Sequence, residues 1–365
     1  MEMPTYLILI LSLTFYLTTC CYIAYNGWRW LQAAFSFKYK KSYIAVISFL
    51  SFAFFLSYFI PSVVLELAGG YWFIIVGYGL ILLPLANIIY FVSKRRWKVQ
   101  IGYIISAFFL FIFIYGSYNA WSPIVREYDI SINKPLMTEE NELKVLIASD
   151  LHMNDIIGAN HIQRLVSISK EEEPDMILLP GDIIDDNITP YIEQGLSDVM
   201  LQLRAPYGVY AVPGNHDYYG GHLLQLRAEL EEINIPLLMD ETIMTKNGIM
   251  IVGREDFTNT ERLTIEELMA DVPPEYPVIM LDHQPREISE AAEHGVDLIV
   301  SGHTHRGQVF PANIITGLLF ENDWGHLQIG EFHSFTTSGF GFWGPAVRFG
   351  TRAEVMIVNI TFSEE

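Results

Sequence analysis

Four long apolar segments in the first third of the chain constrain its fold more than any other feature. They cover residues 6–25, 43–64, 71–92 and 101–118, and none of them contains Asp, Glu, Lys, Arg or His. Each is close to the roughly 20 residues that a helix needs to cross a ~30 Å hydrocarbon core. The sequence therefore predicts an N-terminal transmembrane domain of four helices at residues 1–120. Buried helices of a soluble domain are the alternative.

The charges divide the chain into two unlike parts. Residues 1–120 carry eight basic and two acidic residues, and the remainder carries 14 basic and 40 acidic residues. The eight basic residues lie in the two loops that join segments 1 to 2 and 3 to 4, and the positive-inside rule places such loops in the cytoplasm. We therefore predict a multi-pass protein of the cell membrane whose large acidic domain is extracytoplasmic.

Composition also argues against several classes of function. The strong acidity disfavours a nucleic-acid partner, because phosphate contacts require clustered Lys and Arg. The two cysteines, Cys20 and Cys21, lie in the first apolar segment and build neither a disulfide framework nor a cysteine zinc site. The absence of ionisable residues inside the four segments speaks against transport, so anchoring is their expected role, with lipid binding left open.

The acidic part is predicted to be an α/β domain at residues 144–365, joined to the membrane helices by a polar linker at 121–143. Short apolar runs, which we interpret as buried strands, are each followed at once by residues that bind metals. Helical stretches at 160–172 and 223–232 lie between some of these strands. In such sheets the carboxyl ends of the strands form the site. The runs cover residues 145–148, 176–179, 209–212, 278–281 and 298–300.

Histidine placement sharpens this interpretation. All ten histidines lie beyond residue 150, and five of them fall in the loops after these strands. A single histidine there is usually an ordinary polar loop residue, but five interleaved with Asp150, Asp182 and Asn215 indicate a metal site. Imidazole combined with carboxylate and amide oxygens suits Mn, Fe, Zn or Ni rather than calcium alone. Of the other five, His222 lies close enough to the third loop to be a substrate contact.

These loops together resemble the five-block signature of the calcineurin-like metallophosphoesterase superfamily, and in particular its bacterial membrane-anchored branch. The resemblance implies a sandwich of two mixed sheets flanked by helices, with a site for two metal ions. One departure is Arg306, where that branch usually has glycine. The blocks are Asp150-Leu-His152, Gly181-Asp182-Ile-Ile-Asp185, Gly214-Asn215-His216-Asp217, His283 and Gly302-His303-Thr-His305.

The resemblance also implies a role for each residue. One divalent ion would be held by Asp150, His152, Asp182 and His305, and the other by Asp182, Asn215, His283 and His303. His216 would not be a ligand but a proton donor to the leaving oxygen, with Asp185 orienting it. Manganese is the preferred metal among Mn, Fe, Zn and Ni.

The function expected from these residues is hydrolysis of a phosphomonoester or phosphodiester by a hydroxide that bridges the two metals. Tethering near the bilayer suggests a lipid-linked or cell-envelope substrate. The alternative is a non-catalytic membrane receptor or scaffold whose metal site is structural, although such a site would not need His216. The oligomeric state is left open.

Two arginines are candidates for substrate contact, because guanidinium matches phosphate oxygens. Arg306 and Arg254 could bind phosphate, and the alternative for each is a surface ion pair. The aromatic segment at 335–349 could form an apolar lip for a lipid chain or pack into the core.

Overall fold

The computed structural model describes residues 5–60 and 62–363. The chain begins with four helices, each long and apolar enough to cross a membrane: α1 (Thr5–Phe35), α2 (Lys40–Ser57), α3 (Val63–Val92) and α4 (Lys98–Trp121). Helices α3 and α4 are longer than the corresponding uncharged segments, because α3 begins before Glu66 and α4 begins on Lys98. The prediction of four N-terminal apolar helices is confirmed.

The chain divides into two compact units. One consists of the described residues up to Ser117 together with Gly344–Val347, and the other of Tyr118–Trp343 together with the described residues from Arg348 onward. We call these the helical unit and the α/β unit.

Two mixed sheets form the centre of the α/β unit. The strands are β1 (Ile124–Ile132), β2 (Glu142–Ile147), β3 (Met176–Pro180), β4 (Val209–Val212), β5 (Glu241–Met244), β6 (Met250–Gly253), β7 (Val278–Leu281), β8 (Leu298–Ser301), β9 (Gly325–Ile329), β10 (Phe332–Thr336) and β11 (Glu354–Phe362). The first sheet has the order β1-β11-β2-β3-β4 and the second the order β5-β6-β7-β8-β10-β9. Strands β2, β3 and β4 are parallel to each other, as are β6, β7, β8 and β10.

Helices surround the sheets. The longest, α5, buries Ile162, Leu165, Val166 and Ser169 along one face, the spacing expected where a helix packs on a sheet. The helices are α5 (Ala159–Glu172), α6 (Thr189–Glu193), α7 (Leu196–Met200), α8 (Asn215–Tyr219), α9 (Leu223–Glu232), α10 (Ile265–Met269), α11 (Ile288–Glu293) and α12 (Ala312–Leu319), with a 3-10 turn at His305–Gly307.

The main core lies between the two sheets. Val145, Leu178, Ile279 and Val300 are fully buried members of one apolar cluster that draws residues from both sheets. Strands buried on both faces read as continuous apolar runs, which is why they could be recognised in the sequence. The predicted fold class, four apolar helices followed by an α/β domain with two mixed sheets, is confirmed.

The segment predicted to be a linker at 121–143 differs from that expectation because residues 124–132 of it form the strand β1. This strand pairs in parallel with β11, from Ile124 opposite Glu354 to Ile132 opposite Phe362. Its alternate residues Ile130 and Ile132 are buried, and the polar Arg126 is satisfied by an ion pair with Glu354 (Nε to Oε2, 2.6 Å). Because this segment is rich in polar residues, its alternation of buried and exposed residues was not recognised as a strand in the sequence.

Candidate metal centre

The predicted ligands follow strands whose carboxyl ends lie together. Asp150 and His152 follow β2, Asp182 follows β3, His283 follows β7 and His303 follows β8, while Asn215 begins α8 directly after β4. Parallel strands present their carboxyl ends at one edge of a sheet, so these loops converge. Side-chain nitrogen and oxygen atoms from the loops lie within 4.8 Å of one another in groups of three.

Five predicted ligands have a left-handed backbone. The φ angles are 54° at Asp150, 46° at His152, 52° at Asp182, 68° at His303 and 46° at His305. Side chains other than glycine rarely adopt this region, at a cost of about 1–3 kcal/mol each, and such strain concentrates at functional sites. The surrounding fold therefore fixes these residues in positions that their local preferences disfavour.

The first group of ligands joins two histidines and an aspartate. The Nε2 atoms of His152 and His305 lie 3.0 Å apart, and His305 Nε2 lies 3.4 Å from Asp150 Oδ1. All three side chains are buried. Two imidazole nitrogens that face each other across this distance beside a carboxylate form an arrangement suited to a shared cation.

The second group is built on the other side of Asp182. His283 Nε2 lies 3.1 Å from Asp182 Oδ2, and the same oxygen lies 3.6 Å from His152 Nε2 of the first group. His283 Nδ1 donates to the carbonyl of Pro180 at 2.9 Å, which fixes the ring and leaves Nε2 facing the carboxylate. Nearby, His303 Nδ1 lies 2.8 Å from Asn215 Oδ1. Asp182 therefore lies between the two groups.

The chemistry of these side chains fits divalent cations. Among the described residues, Asp150 Oδ2 is buried and has no hydrogen-bond partner, and His283 Nε2 has only the Asp182 carboxylate at 3.1 Å. A buried polar atom without a partner is rare and costs about 1–3 kcal/mol, so Asp150 Oδ2 calls for a ligand. Imidazole nitrogens with carboxylate and amide oxygens are donors for first-row transition metals.

The protonation equilibria of the cluster point the same way. Burial opposes protonation of His152, but Asp185, Asp182 and Asp150 outweigh it and raise its pKa to about 9. Burial also opposes ionisation of Asp182, yet His283, His152 and His216 hold its pKa well below the usual range. The carboxylates thus stabilise positive charge at this place.

His303 and His305 behave in the opposite way. Burial, assisted by the neighbouring His283, lowers the pKa of His303 to about 4. Burial and the nearby His152 and Arg348 hold the pKa of His305 well below its usual value. Both rings therefore remain neutral near pH 7, the form in which imidazole binds metal.

The predicted proton donor has two carboxylates beside it. His216 Nδ1 donates to Asp186 Oδ1 at 2.7 Å, and Asp185 Oδ1 lies 3.3 Å from both His216 Nδ1 and His152 Nδ1. The backbone N–H of His216 donates to Asp182 Oδ1 at 2.9 Å. Asp185 thus lies at the predicted place, but the shorter bond to His216 comes from Asp186, which the sequence analysis did not single out although it is adjacent.

Two further buried residues support the cluster and were missed. Asp217 accepts the backbone N–H groups of Gly214 (2.8 Å) and Ile184 (2.9 Å), and so joins the loops after β4 and β3. Arg348 Nη2 donates to His305 Nδ1 at 3.0 Å and to the carbonyl of Gly341. The four-residue block containing Asp217 was a signal for the first, whereas no sequence pattern pointed to Arg348.

The predicted substrate contacts lie outside the ligand cluster. The Arg306 guanidinium stacks 3.8 Å from the ring centre of Trp324. Arg254 is buried and pairs with Asp282 (2.8 Å) and Glu287 (2.6 Å), so it is structural, and its ion pairs are buried rather than exposed. His222 stands immediately before α9 and is not among the described residues that form the clustered groups.

Different residues of the aromatic segment at 335–349 fit the two interpretations, an apolar lip and packing into the core. Phe340 and Phe342 are buried in the core. Trp343 is 56% exposed, and its ring centre lies 6.1 Å from that of His216. The ring centre of Tyr219 lies 5.2 Å from that of His216. One aromatic residue therefore borders the candidate site while its neighbours fill the core.

An exposed apolar helix also adjoins the site. Helix α12 contacts the 3-10 turn that begins with His305, and no described residue of this helix is buried. Ile314, Ile315, Leu318 and Leu319 are 55%, 58%, 81% and 72% exposed. The helix contains no charged residue. Its apolar surface is therefore unusual for a part of a domain that meets only water.

Comparison with known proteins agrees with this geometry. The family model described as calcineurin-like phosphoesterase matches residues 143–307. An uncharacterised metallophosphoesterase of Aquifex aeolicus is 31% identical over 245 residues, which cover 65% of this chain and 91% of the relative.

Two other relatives extend the range of organisms. An uncharacterised metallophosphoesterase of Helicobacter pylori strain J99 is 28% identical over 247 residues, covering 65% of this chain and 64% of the relative. A Danio rerio transmembrane protein with metallophosphoesterase domain is 28% identical over 267 residues, covering 69% of this chain and 60% of that protein. The chain thus spans less than two thirds of the length of these two relatives. On the family match, the Aquifex relative and the convergent ligand loops, the chain belongs to the calcineurin-like phosphoesterase family.

Proposed function

We propose that the protein is a membrane-anchored phosphoesterase that uses two divalent cations, with manganese preferred. The observation that carries this proposal is the position of Asp182, whose Oδ2 lies between His152 at 3.6 Å and His283 at 3.1 Å. A carboxylate between two histidine-containing groups suits a pair of cations. Asp150, His152 and His305 would hold one cation with Asp182, and Asn215, His283 and His303 would hold the other.

When bound, such cations supply Lewis acidity, which lowers the pKa of water and offsets charge on a phosphoryl group. The chain's own residues fix the ligands and move a proton. Pro180 orients His283 through its carbonyl. His216 directs Nδ1 toward Asp186, so Nε2 is the atom that donates a proton to the leaving oxygen, a contribution of about 10²- to 10⁴-fold.

The substrate is proposed to be a phosphoester on a lipid or on another envelope component. Two residues separate the end of α4 at Trp121 from the start of β1 at Ile124. Because extended chain spans at most about 3.6 Å per residue, the connection holds the start of β1 close to the end of α4. Helix α12 supplies an exposed apolar surface beside the turn that carries His305, which suits contact with acyl chains or the bilayer interface. On the positive-inside rule this happens on the extracytoplasmic face.

The activity is tested with detergent-solubilised full-length protein on chromogenic phosphate monoesters and diesters, with and without added Mn. Hydrolysis should require the metal and disappear in Asp182→Ala. The matched control is Asp271→Ala, which removes an exposed aspartate distant in sequence from the ligand loops and should leave the rate unchanged. The ratio of monoester to diester rates then defines the reaction class.

The rival function is a metal-stabilised receptor or scaffold. It predicts two metals bound per chain with no turnover of either ester or of a lipid-linked phosphoester. Metal-dependent turnover that is lost in His216→Ala, with both metals retained, excludes it.

The lipid-linked substrate has its own test. Liposomes containing the protein are given a water-soluble chromogenic ester or a lipid phosphoester. Leu318→Asp should lower the ratio of lipid to soluble turnover about tenfold or more, since it places a charge on the apolar face of α12. Leu224→Asp is the matched control, because Leu224 is 75% exposed on α9. An unchanged ratio in Leu318→Asp refutes the role of α12.

A further inference from the structure

A cavity of about 480 Å³ lies within the helical unit, among α1, α3 and α4. This volume falls in the range of about 300–1,000 Å³ that small-molecule sites occupy. Three basic residues, Arg29, Arg95 and Lys98, line one end of the cavity. The side chains that line the remainder are mostly apolar and include Ile23 and Phe109.

The three cations gather at one end because of their places along the helices. Arg29 lies near the end of α1, Arg95 follows the end of α3 and Lys98 begins α4. Glu66 is the one acidic residue among the described residues up to 120, and it lies in the first turn of α3. At 1.5 Å per residue, the opposite end of that helix is about 39 Å away. The one acidic residue in the described part of this unit is therefore too far away to neutralise the three cations.

The dimensions of the cavity match one leaflet of a bilayer. Lys98 and Phe109 both line the cavity. Phe109 is eleven positions after Lys98 along α4, which corresponds to a distance of about 16 Å. A hydrocarbon core is about 30 Å thick, so one leaflet accounts for about half of it. The cationic end lies where headgroups would be, and the apolar part extends about as far as an acyl chain would.

We propose that this cavity binds one anionic phospholipid, whose phosphate headgroup contacts Arg29, Arg95 and Lys98 and whose acyl chain lies along α4 toward Phe109. Charge complementarity favours this occupant, because a zwitterionic lipid brings its own cation and leaves the three basic residues without net compensation. The positive-inside rule assigns this end to the cytoplasmic leaflet. The α/β unit follows the other end of α4. The bound lipid is therefore distinct from the substrate, and the proposal does not depend on the proposed function.

The test measures lipid binding to the full chain in neutral detergent by native mass spectrometry, with phosphatidylglycerol, phosphatidylcholine and inorganic phosphate as probes. Phosphatidylglycerol should bind with one tight site, and phosphatidylcholine should bind at least tenfold more weakly. The double variant Arg29→Gln/Lys98→Gln should weaken phosphatidylglycerol about 30-fold, since each cation near a membrane surface contributes about tenfold or less.

The matched control removes two cations from the same two loops without touching the cavity. Lys41→Gln/Arg96→Gln alters residues outside the cavity lining and should leave the affinity within about threefold. If the first variant fails to remain monodisperse, Ala86→Phe keeps all cations, fills the apolar part and should weaken binding as well. Equal binding of both lipids, an equal loss in the control, or full displacement of the lipid by an equal concentration of inorganic phosphate overturns the proposal.

Discussion

Replacing Gly302 by alanine tests whether close approach of the backbone to Asp150 positions the candidate metal site. A methyl group at residue 302 would lie inside van der Waals contact of both Asp150 Oδ2 and Ser149 Oγ. Since non-bonded atoms settle at roughly 3.5–4.0 Å, both oxygens must retreat by about 1 Å or more. Overpacking of this kind costs about 1–3 kcal/mol. Ser149 also risks its 2.8 Å hydrogen bond to the Pro180 carbonyl, worth about 1 kcal/mol.

The total, about 2–4 kcal/mol, corresponds to a fall in Tm of roughly 5–15 °C for a unit of this size. Displacing Asp150 should also weaken Mn binding about 10- to 100-fold. Thermal unfolding and Mn titration followed by metal analysis measure the two effects. Gly317→Ala is the control, because a methyl group there meets Asp323 at an ordinary 3.7 Å and alanine favours the helix α12.

A second variant separates stability from metal binding. Adding Ser149→Ala to Gly302→Ala removes the contact with Oγ but leaves Ser149 Cβ 2.8 Å from the new methyl group, so only a small part of the Tm should return while Mn affinity stays low. A Gly302→Ala protein that binds two Mn ions as tightly as the wild type, with an unchanged Tm, would refute the argument.

Three substitutions and one removal of metal test the assigned roles. Asp182→Ala should lose both ions by metal analysis, because its Oδ2 faces both ligand groups, and retention of one ion at full affinity would contradict this position. His216→Ala should reduce kcat about 10²- to 10⁴-fold with two metals retained; empty metal positions would show it to be a ligand. Asp186→Asn should lower kcat about tenfold because it replaces the charged acceptor of the His216 Nδ1 hydrogen bond with a neutral one, with metal content unchanged, and no effect would leave Asp185 as the orienting group. Removal of metal by a chelator should lower stability by about 2.7 kcal/mol relative to metal at 100 times its Kd, seen as a lower Tm.

Much of the site could be predicted from the sequence because each ligand follows a strand that is buried on both faces. Residues 176–179, 209–212 and 278–281 read as continuous apolar runs and correspond to β3, β4 and β7. The polar residues after them stand out against such runs. Convergence of the loops then follows from parallel pairing, which the α/β pattern already indicates.

What the sequence did not reveal depends on contacts between distant parts of the chain. Strand β1 is polar because Arg126 is paired with Glu354, 228 residues further on. Arg348 reaches His305 from a loop that carries no motif, and Asp186 differs from Asp185 in its distance to His216. The left-handed backbone at the ligands likewise follows from the assembled loops rather than from local preference.

The position of β11 has a consequence for how the protein is made. This strand lies between β1 and β2 in the first sheet, although it is the last strand of the described chain. During synthesis β1 and β2 therefore emerge more than 200 residues before the partner that joins them. Until then both present unpaired strand edges, which favour association with other chains. Synthesis of this chain thus includes an interval, lasting until β11 has been made, in which aggregation through these edges competes with completion of the first sheet.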